Sequence, residues 1–439
     1  MDDLQGHRTP PQSPRPSTPR SLSRSQSPSR RSLSPPPDPP LGTPPLPPPL
    51  DFDRANSESG SEQDLLLEEA FPLAHLPKLR TAIRFIEAIE TVSLASHFDP
   101  EELEELLEPQ EHNSSPLDDP KLKLSLLNYI SLLDTSHNKY EAIRKNTEKC
   151  LNGVKLLSHY QVERRTKLLS GLVTWEHHMC FNSCLGFTGP YSDLDRCPEC
   201  GEHCYDQKQL QESEGLRKEP RKVFTTFPVG PQLQARWNNP QMAKEMLYRW
   251  RKTEEVLVEL EATGELPDLL DNILCGKDYI NLARNGKIKK FDSVLMLSTN
   301  GAQLYDNKQS DIWIYIWIIL DLSPDKRYKI QNVLPGGVIP GPEPPSDYDS
   351  FLFPGIAHVS ALQKERLPIW DALSREHQLS KLFILLILAD SIGMGPISGS
   401  VGHHGRKGCQ LLCRFKGRNK IRGPHYYPAL LRPDGFEDH

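Results

Sequence analysis

Four cysteines between positions 180 and 200 constrain this chain more than any other feature of its sequence. They follow the spacing Cys180-x3-Cys184, twelve residues, Cys197-x2-Cys200. Two close pairs separated by a short loop allow four thiolates to converge on one tetrahedral Zn²⁺ ion. Because so short a segment has almost no hydrophobic core, metal ligation would supply most of its folding free energy. We therefore predict a structural zinc site, with no catalytic role, at these four cysteines.

Nearby side chains leave the zinc ligand set open. His177, His178, His203 and Cys204 lie close to the two pairs and are alternative ligands. A set of reduced, unligated thiols is the other interpretation. No apolar segment follows Met1, so a secretory signal is not expected. In that context nine cysteines favour metal sites or buried thiols over a disulfide scaffold.

Composition limits the classes of function. The chain has 439 residues, 41 of them proline, and its 52 Lys+Arg and 58 Asp+Glu give a formal charge of −6. This balance excludes a histone-like or polyanion-like protein, so any binding to nucleic acid must come from local basic patches. The longest apolar runs, Ile312–Leu320 and Leu382–Ala389, fall short of the roughly 20 residues that a membrane-spanning helix needs. We expect no membrane association.

Changes in composition divide the chain into four parts. Residues 1–70 are rich in Pro, Ser and Arg and bury too little apolar surface to fold, which predicts a disordered tail. Residues 71–175 carry Leu and Ile at three- and four-residue spacing, which predicts helices with a break at Pro109–Pro120. Residues 176–210 form the Cys-rich zinc module. Residues 220–439 form the fourth part.

The fourth part is predicted to be an α/β region with a mixed sheet, because three β-rich runs precede a helix and a further apolar strand. The expected elements are a helix over Pro240–Glu261 with Asn239 as its N-cap, strands over Val294–Ser298, Ile312–Leu322 and Val333–Ile339, a helix over Phe351–Leu373 and a strand over Leu382–Ala389.

Polar residues at two strand ends are candidates for metal-dependent chemistry. A sheet that cuts a phosphodiester with two Mg²⁺ ions needs carboxylates from different elements. Asp390 ends the last apolar strand, but the position that would supply its partner is Asn300. Asn offers one neutral carbonyl oxygen and binds Mg²⁺ poorly. Asp306 and Asp311 are alternative first acids, although a loop or strand-start position explains each of them equally.

A basic segment follows Asp390, and no acidic residue occurs again before Asp434. Its cations, with Phe415, Tyr426 and Tyr427 available for stacking, predict a nucleic-acid-binding patch, a basic solvated loop being the alternative. The predicted DNA-binding residues are Arg406, Lys407, Arg414, Lys416, Arg418, Lys420 and Arg422. A second zinc site at His403, His404, Cys409 and Cys413 is weighed evenly against loop histidines with buried cysteines.

Several longer motifs occur in a fixed order downstream of the Cys-rich module. They are STNGAQLY over residues 298–305, SDIWIYIW over 310–317, LPGGVIPGP over 334–342, DSFLFPG over 349–355, GHHG over 402–405 and GPHYYP over 423–428. Residues 297–439 resemble the catalytic region of CACTA-type (En/Spm) DNA transposases, in the form common in fungal genomes. The CFNSC and CPECG segments upstream resemble the Cys-rich module of the same family, so the resemblance covers roughly residues 170–439.

The resemblance implies an RNase H-like fold that cuts and joins transposon ends with three acids and two Mg²⁺ ions. By position, the first acid falls at Asn300 and the second at Asp390, while the third lies further downstream in the family than His439. The resemblance thus implies a truncated, catalytically inactive relative in the nucleus that keeps zinc and binds double-stranded DNA. Mg²⁺ at Asp390 is expected only if the chain is active.

Two other functions remain open from the sequence. One is an active, Mg²⁺-dependent DNA endonuclease or transposase that uses Asp306 or Asp311 as its first acid, or that another chain completes as a homo-oligomer. The other is a protein-interaction scaffold whose Pro44–Pro49 run binds SH3 or WW domains.

Overall fold

A computed structural model describes most of the chain. The described residues are 77–96, 98–109, 119–151, 153–266, 272–303, 311–399, 402, 404–408, 418–419 and 425–427. The predicted tail over residues 1–70, including Pro44–Pro49, lies outside them.

The predicted helical region contains more helices than the sequence pattern indicates. They are α1 Pro77–Thr91, α2 Pro100–Leu107, α3 Pro120–Ser131, α4 His137–Cys150 and α5 His159–Ser170. Helix α3 begins where the predicted break ends, with the Asp119 carboxylate accepting from Lys121 N at 2.9 Å. Helices α3, α4 and α5 pack around Leu126, Tyr140 and Val162.

The remaining elements alternate between helices and strands. In chain order they are β1 Trp175–His178, α6 Gln207–Glu212, β2 Val223–Thr226, α7 Val229–Trp237, α8 Pro240–Met246, α9 Tyr248–Thr263, α10 Lys277–Arg284, β3 Ser293–Gln303, β4 Asp311–Ile319, α11 Pro324–Arg327, β5 Leu334–Pro340, α12 Tyr348–Glu365, β6 Leu367–Asp371, β7 Glu376–Ser380, β8 Leu382–Ala389, α13 Ser391–Ser398, β9 Arg418–Asn419 and β10 Tyr426–Tyr427.

Six of these strands form one mixed sheet in the order β1-β2-β5-β4-β3-β8. All neighbours are antiparallel except β3 and β8, which run parallel. Helix α12 lies between β5 and β8 in the chain, and β6 and β7 form a separate hairpin. The predicted mixed α/β architecture is confirmed.

Helices cover both faces of this sheet. On one face, Leu297 of β3 and Trp317 of β4 belong to a core that includes residues of α7, α8 and α12. On the other face, Met296 of β3 and Ile318 of β4 pack with residues of α9 and α10. Neighbouring residues of one strand thus enter opposite cores, as the two-residue period of a strand requires. Burial on both faces explains the apolar run at the start of β3, whereas Leu386, Ile387 and Leu388 of the apolar run in β8 are exposed.

The predicted helix over Pro240–Glu261 is divided at Leu247 into α8 and α9. Its N-cap is confirmed, because Asn239 Oδ1 accepts from Gln241 N and Met242 N at 3.0 and 3.1 Å. At the division the Arg249 backbone N–H donates to Asp321 O, two residues after β4, instead of continuing the helical ladder. A contact distant in sequence therefore interrupts a continuous helical pattern.

The predicted helix over Phe351–Leu373 ends at Glu365, and the rest of that stretch belongs to β6 and its turn. Arg366 ends the helix with φ +71° and ψ 151°. Pro368 follows, and a proline favours extended backbone at the residue before it. The apolar pattern over Phe351–Leu373 is continuous, but it spans the end of a helix and a following strand.

Glycines of the LPGGVIPGP and DSFLFPG motifs have a packing role around Tyr315. A Cβ at Gly336 or Gly337 would lie 2.3 Å from the Tyr315 ring, and one at Gly355 would lie 2.6 Å from its hydroxyl oxygen. Tyr315 is fully buried between these backbone segments. Only residues without a Cβ fit so close to the ring.

A fully buried arginine connects the helical layer of α9 and α10 to the sheet. Arg249 Nε donates to Asp321 Oδ1 at 2.6 Å, and its other nitrogens donate to Tyr279 Oη and to the carbonyls of residues 289, 290 and 292. The second Asp321 oxygen accepts from Val294 N at 2.9 Å. The guanidinium therefore has partners in α10, in the turn before β3 and just after β4.

Replacing Asp321 by Ala is expected to lower the free energy of unfolding by about 3–5 kcal/mol, because it leaves the Arg249 charge buried without its anion. Chemical denaturation measures this loss. Lys326→Ala is the control: it breaks the partly exposed Lys326–Glu245 pair at 2.9 Å, for which we expect about 0–1 kcal/mol. Equal losses in the two variants would contradict the role given to Arg249.

Candidate metal centre and strand-end cleft

The four predicted cysteines converge in space. The Sγ atoms of Cys180, Cys184, Cys197 and Cys200 all lie within 4.8 Å of one another, and those of Cys180 and Cys200 are 3.4 Å apart. Tetrahedral zinc with Zn–S bonds of about 2.3 Å needs S···S separations of about 3.8 Å. These residues, which we call the four-cysteine cluster, could therefore hold a metal ion such as zinc.

Two tight turns present the thiols. In the first, Ser183 N donates to Cys180 O and Cys180 N donates to Leu185 O, both at 2.9 Å. In the second, Gly201 N donates to Cys197 O and Cys197 N donates to Glu202 O. Gly201 has φ +76°, a left-handed conformation that glycine adopts without strain. The CPECG sequence therefore ends on the residue that its turn requires.

The surroundings shift the pKa values of these thiols in different directions. Burial raises the pKa of Cys184 well above its usual range and that of Cys197 to about 11. Burial also opposes ionisation of Cys200, but hydrogen bonds from Glu202 N and from neighbouring thiols outweigh it and lower the pKa of Cys200 to about 7. Cys200 is also the exposed member of the cluster. The lowered pKa favours the thiolate of Cys200, which is the form that binds a metal ion.

The alternative ligands lie outside the cluster. His177 packs against Phe224 with ring centres 5.0 Å apart, and His178 packs against Tyr205 at 5.5 Å. His203 pairs with Arg196 in an isolated β-bridge. Cys204 is buried beside the cluster, in a small core with Leu185 and Phe187. Among the described residues, the metal-binding group consists of the four predicted cysteines alone.

The Cys-rich module is fixed to the segment that begins α12. Cys184 O accepts from Ser346 N at 3.1 Å and from Asp347 N at 2.8 Å, and Gly186 N donates to Ser350 Oγ at 2.9 Å. On the sheet side, Lys222 Nζ bridges Ser183 Oγ and Gly341 O at 2.7 and 2.9 Å. These hydrogen bonds connect the cysteine-bearing turns to the residues that begin α12, whose N-cap is Asp347.

The other predicted site lies where the pairing of β3 with β8 ends. Strand β3 itself continues through Asn300 to Gln303, so the prediction that Asn300 ends its strand is wrong. Their parallel register pairs Thr299 with Ala389, so Asn300 and Asp390 are the next residues on the two strands. Both line a cavity of about 190 Å³, which we call the strand-end cleft. Its lining residues are Thr299, Asn300, Gly301, Trp313, Tyr348, Asp390 and Gly393.

Within the strand-end cleft, the Asp390 carboxylate accepts a hydrogen bond from the helix that follows it. Its Oδ1 accepts from Gly393 N at 2.6 Å in the first turn of α13. Burial, and then the negative charge of Asp390, raise the pKa of Tyr348, so the phenol stays protonated and able to donate. The cleft thus combines one exposed carboxylate, one amide and two aromatic side chains, Tyr348 and Trp313. Sequence reasoning missed these two aromatic residues, because only the fold brings α12 and β4 to this edge.

The two alternative acids differ in position. Asp311 pairs with Gln303, three residues beyond Asn300 and thus about 10 Å further along the strand. Its carbonyl accepts from Gly341 N at 2.7 Å, which is the role of a strand-start residue. Asp306 lies outside the described residues. The described geometry therefore offers Asp390 no carboxylate from Asp311.

Most of the predicted C-terminal site residues lie outside the described part of the chain. This applies to His403, Cys409, Cys413, Arg414, Lys416, Lys420 and Arg422. Arg406 and Lys407 are exposed. The His404 ring lies 4.6 Å from that of His425, and its carbonyl accepts from Tyr426 N. Arg418 belongs to the short strand β9, which pairs with β10.

Comparisons with protein-family models and with curated proteins gave no match to this chain. Within the part of the chain that the structure describes, no helix is long and apolar enough to cross a membrane.

Elemental analysis of the purified chain is expected to find one metal ion per chain at the four-cysteine cluster. Replacing Cys197 and Cys200 by Ser should remove it, whereas Cys204→Ser should retain it because that thiol lies outside the cluster. Chelation should also increase amide hydrogen exchange at Ser346 and Asp347, whose N–H groups donate to Cys184 O. Loss of metal in Cys204→Ser would contradict the ligand set.

Proposed function

We propose that this chain is a zinc- and DNA-binding protein of transposase origin, whose RNase H-like sheet no longer cuts DNA. The observation that carries the proposal is the position of Asn300. It occupies the place next to Asp390 where a two-metal nuclease needs its first carboxylate.

The strand order supports an RNase H-like sheet. Such a sheet begins with three antiparallel strands, after which a helix leads to a fourth strand parallel to the first. Strands β3, β4 and β5 are antiparallel neighbours, α12 follows them, and β8 pairs in parallel with β3. In this arrangement the last residues that pair between the first and fourth strands are Thr299 and Ala389, and the two acid positions, Asn300 and Asp390, follow them directly.

The chemistry of the strand-end cleft supports loss of catalysis. Mg²⁺ prefers several anionic oxygen ligands in near-octahedral geometry. Asn300 contributes one neutral oxygen, and one oxygen of Asp390 already accepts from Gly393 N. A single, partly engaged carboxylate is a poor site for two divalent cations.

The chemistry of the four-cysteine cluster supports zinc. Four sulfur ligands in tetrahedral proximity suit zinc and exclude the hard cations Mg²⁺ and Ca²⁺. Because two of the thiols have raised pKa values, bound metal would stabilise thiolates that burial opposes. Its role on this proposal is structural, since it fixes the segment that carries Tyr348 into the strand-end cleft.

The proposal includes a nuclear location, since DNA is the partner. The exposed cations Arg406 and Lys407 and the aromatic residues Trp313 and Tyr348 of the cleft are suited to phosphate contact and base stacking. The remaining cations predicted from the sequence, such as Arg414 and Lys416, extend the same basic segment.

Fluorescence anisotropy with a labelled DNA duplex tests the binding part of this proposal. We expect affinity to fall linearly with salt on a log–log plot, with a slope of about −0.9 for each phosphate contacted. We also expect no nicking of supercoiled plasmid in Mg²⁺ or Mn²⁺. Nicking that Asp390→Ala abolishes would overturn the inactive state, and absence of any salt-dependent binding would overturn the DNA partner.

Asn300→Asp tests whether a lost carboxylate explains the missing metal chemistry. The variant should bind Mn²⁺ about tenfold more tightly than the wild type, or better, by calorimetry, because two carboxylates then face one cation. The matched control is Asn300→Asp combined with Asp390→Asn, which keeps a single carboxylate and should lose the gain. Equal Mn²⁺ affinity in wild type and Asn300→Asp would count against a degenerate metal site.

A further inference from the structure

A second cavity lies at the opposite end of the β3–β8 pair. It has a volume of about 170 Å³ and is lined by Gly286, Lys287, Lys289, Asp292, Arg366, Leu379 and Lys381. We call it the basic pocket. Ser293 and Leu382 begin the two strands beside it, seven residues before Asn300 on β3. The strand rise places the basic pocket about 23 Å from the strand-end cleft.

The basic pocket contains four cations and one carboxylate, and the carboxylate is already engaged. Asp292 is 4% exposed. Its two oxygens accept from Lys289 N at 2.7 Å and from Lys381 N at 2.9 Å. Asp292 therefore joins the two backbone segments that carry the lysines, and its charge is directed at amides inside the protein.

The cations have no anionic partner within the described residues. Ion pairs form at many other sites of the chain, but none of them involves Lys287, Lys289, Arg366 or Lys381. Like charges gathered around one cavity repel one another, and an anion bound among them would remove that repulsion. The site thus has the electrostatics of an anion-binding pocket.

The backbone of Arg366 is a second, independent observation. Its φ of +71° and ψ of 151° lie in a region that is essentially restricted to glycine. Arg366 therefore combines a strained backbone with a guanidinium group at the pocket.

A structural role would explain only some of the cations. Lys287 and Arg366 follow the C-terminal ends of α10 and α12, where positive charge is favourable. Lys289 and Lys381 precede strands β3 and β8, so helix ends do not account for them. Three of the four cations are exposed and Lys381 is half-buried, so all of them are available to an anion in the cavity.

We propose that the basic pocket binds a phosphoryl group through Arg366, Lys287, Lys289 and Lys381. Guanidinium and ammonium groups recognise phosphate through charge-assisted hydrogen bonds, and arginine can do so with two parallel bonds. The phosphoryl group can belong to a nucleic-acid backbone or to a small phosphate compound. The inference stands without the proposed function, because the pocket uses no residue of the four-cysteine cluster or of the strand-end cleft.

Calorimetry with inorganic pyrophosphate and anisotropy with a 20-base-pair duplex test the site on the full chain. Arg366→Gly removes the guanidinium and relieves the backbone, so it should weaken pyrophosphate binding by about tenfold or more while raising the melting temperature. The matched control is Arg375→Gly, since Arg375 is also exposed at positive φ, 59°, but lies at the far turn of the β6–β7 hairpin. It should leave pyrophosphate affinity unchanged.

The two probes distinguish the source of the phosphate. Weakening of both pyrophosphate and duplex binding in Arg366→Gly would assign the pocket to nucleic-acid backbone. Weakening of pyrophosphate binding alone would assign it to a small phosphate compound and leave duplex binding to other residues. The double variant Lys287→Gln with Lys289→Gln should reproduce the loss without altering the backbone at Arg366.

Three results would overturn the proposal. They are absence of pyrophosphate binding to the wild type at millimolar concentration, equal affinities in Arg366→Gly and Arg375→Gly, and full affinity in the double lysine variant. If duplex binding persisted alongside any of these results, the proposed DNA partner would still be supported. Failure of the basic-pocket proposal can therefore be distinguished from failure of the DNA-binding proposal.

Discussion

One buried guanidinium fixes the start of β3, the strand on which both candidate clefts depend. Arg249 is fully buried, so each of its nitrogens must find an acceptor inside the protein. It takes the Asp321 carboxylate and the carbonyls of the turn that ends at Asp292. Asp321 in turn holds Val294 N at the start of β3, so the strand cannot shift in register without breaking the buried pair.

The same turn connects this interaction to the start of the β3–β8 pair. Asp292 supplies one of the carbonyls that accept from Arg249, and its carboxylate accepts from the backbone N–H of Lys381, the residue before β8. The register shifts by one residue between Leu295 and Met296, where Met296 pairs with Leu386, and it is this shift that brings Thr299 to Ala389 at the other end. The basic pocket therefore depends on the fixed strand starts, and the strand-end cleft depends on the shift as well.

The Cys-rich module is hydrogen-bonded to the segment that precedes Tyr348, a lining residue of the strand-end cleft. Its first turn receives the amides of Ser346 and Asp347, and Tyr348 is the next residue. Asp347 also accepts from Tyr191 Oη at 2.8 Å, within the module. A metal that orders the cysteine-bearing turns would thus order the aromatic wall of the cleft, although none of its ligands lies in it.

Sequence reasoning succeeded where a pattern is local. The cysteine spacing predicted the four-cysteine cluster, and the apolar run Leu382–Ala389 predicted strand β8 with its observed limits. It failed where a contact between residues distant in sequence determines the secondary structure. The division of α8 from α9 depends on Asp321, and the strands β1 and β2 have four residues each, too few for a periodic pattern.

The basic pocket was missed for a related reason, because it collects residues from the turn before β3, the end of α12 and the residue before β8. No spacing along the chain connects them, and what distinguishes Arg366 is a backbone conformation that a sequence does not display.

The exchange of a carboxylate for an amide at position 300 has an electrostatic consequence beyond the loss of metal ligation. Without bound cations, two carboxylates at the strand ends would repel a phosphate backbone. With Asn300 only Asp390 remains charged, and it accepts a hydrogen bond from Gly393 N. On the proposed function, the substitution that removes two-metal chemistry therefore also weakens the repulsion between the cleft and DNA in the absence of Mg²⁺. Loss of cleavage and retention of binding would then follow from a single change in charge.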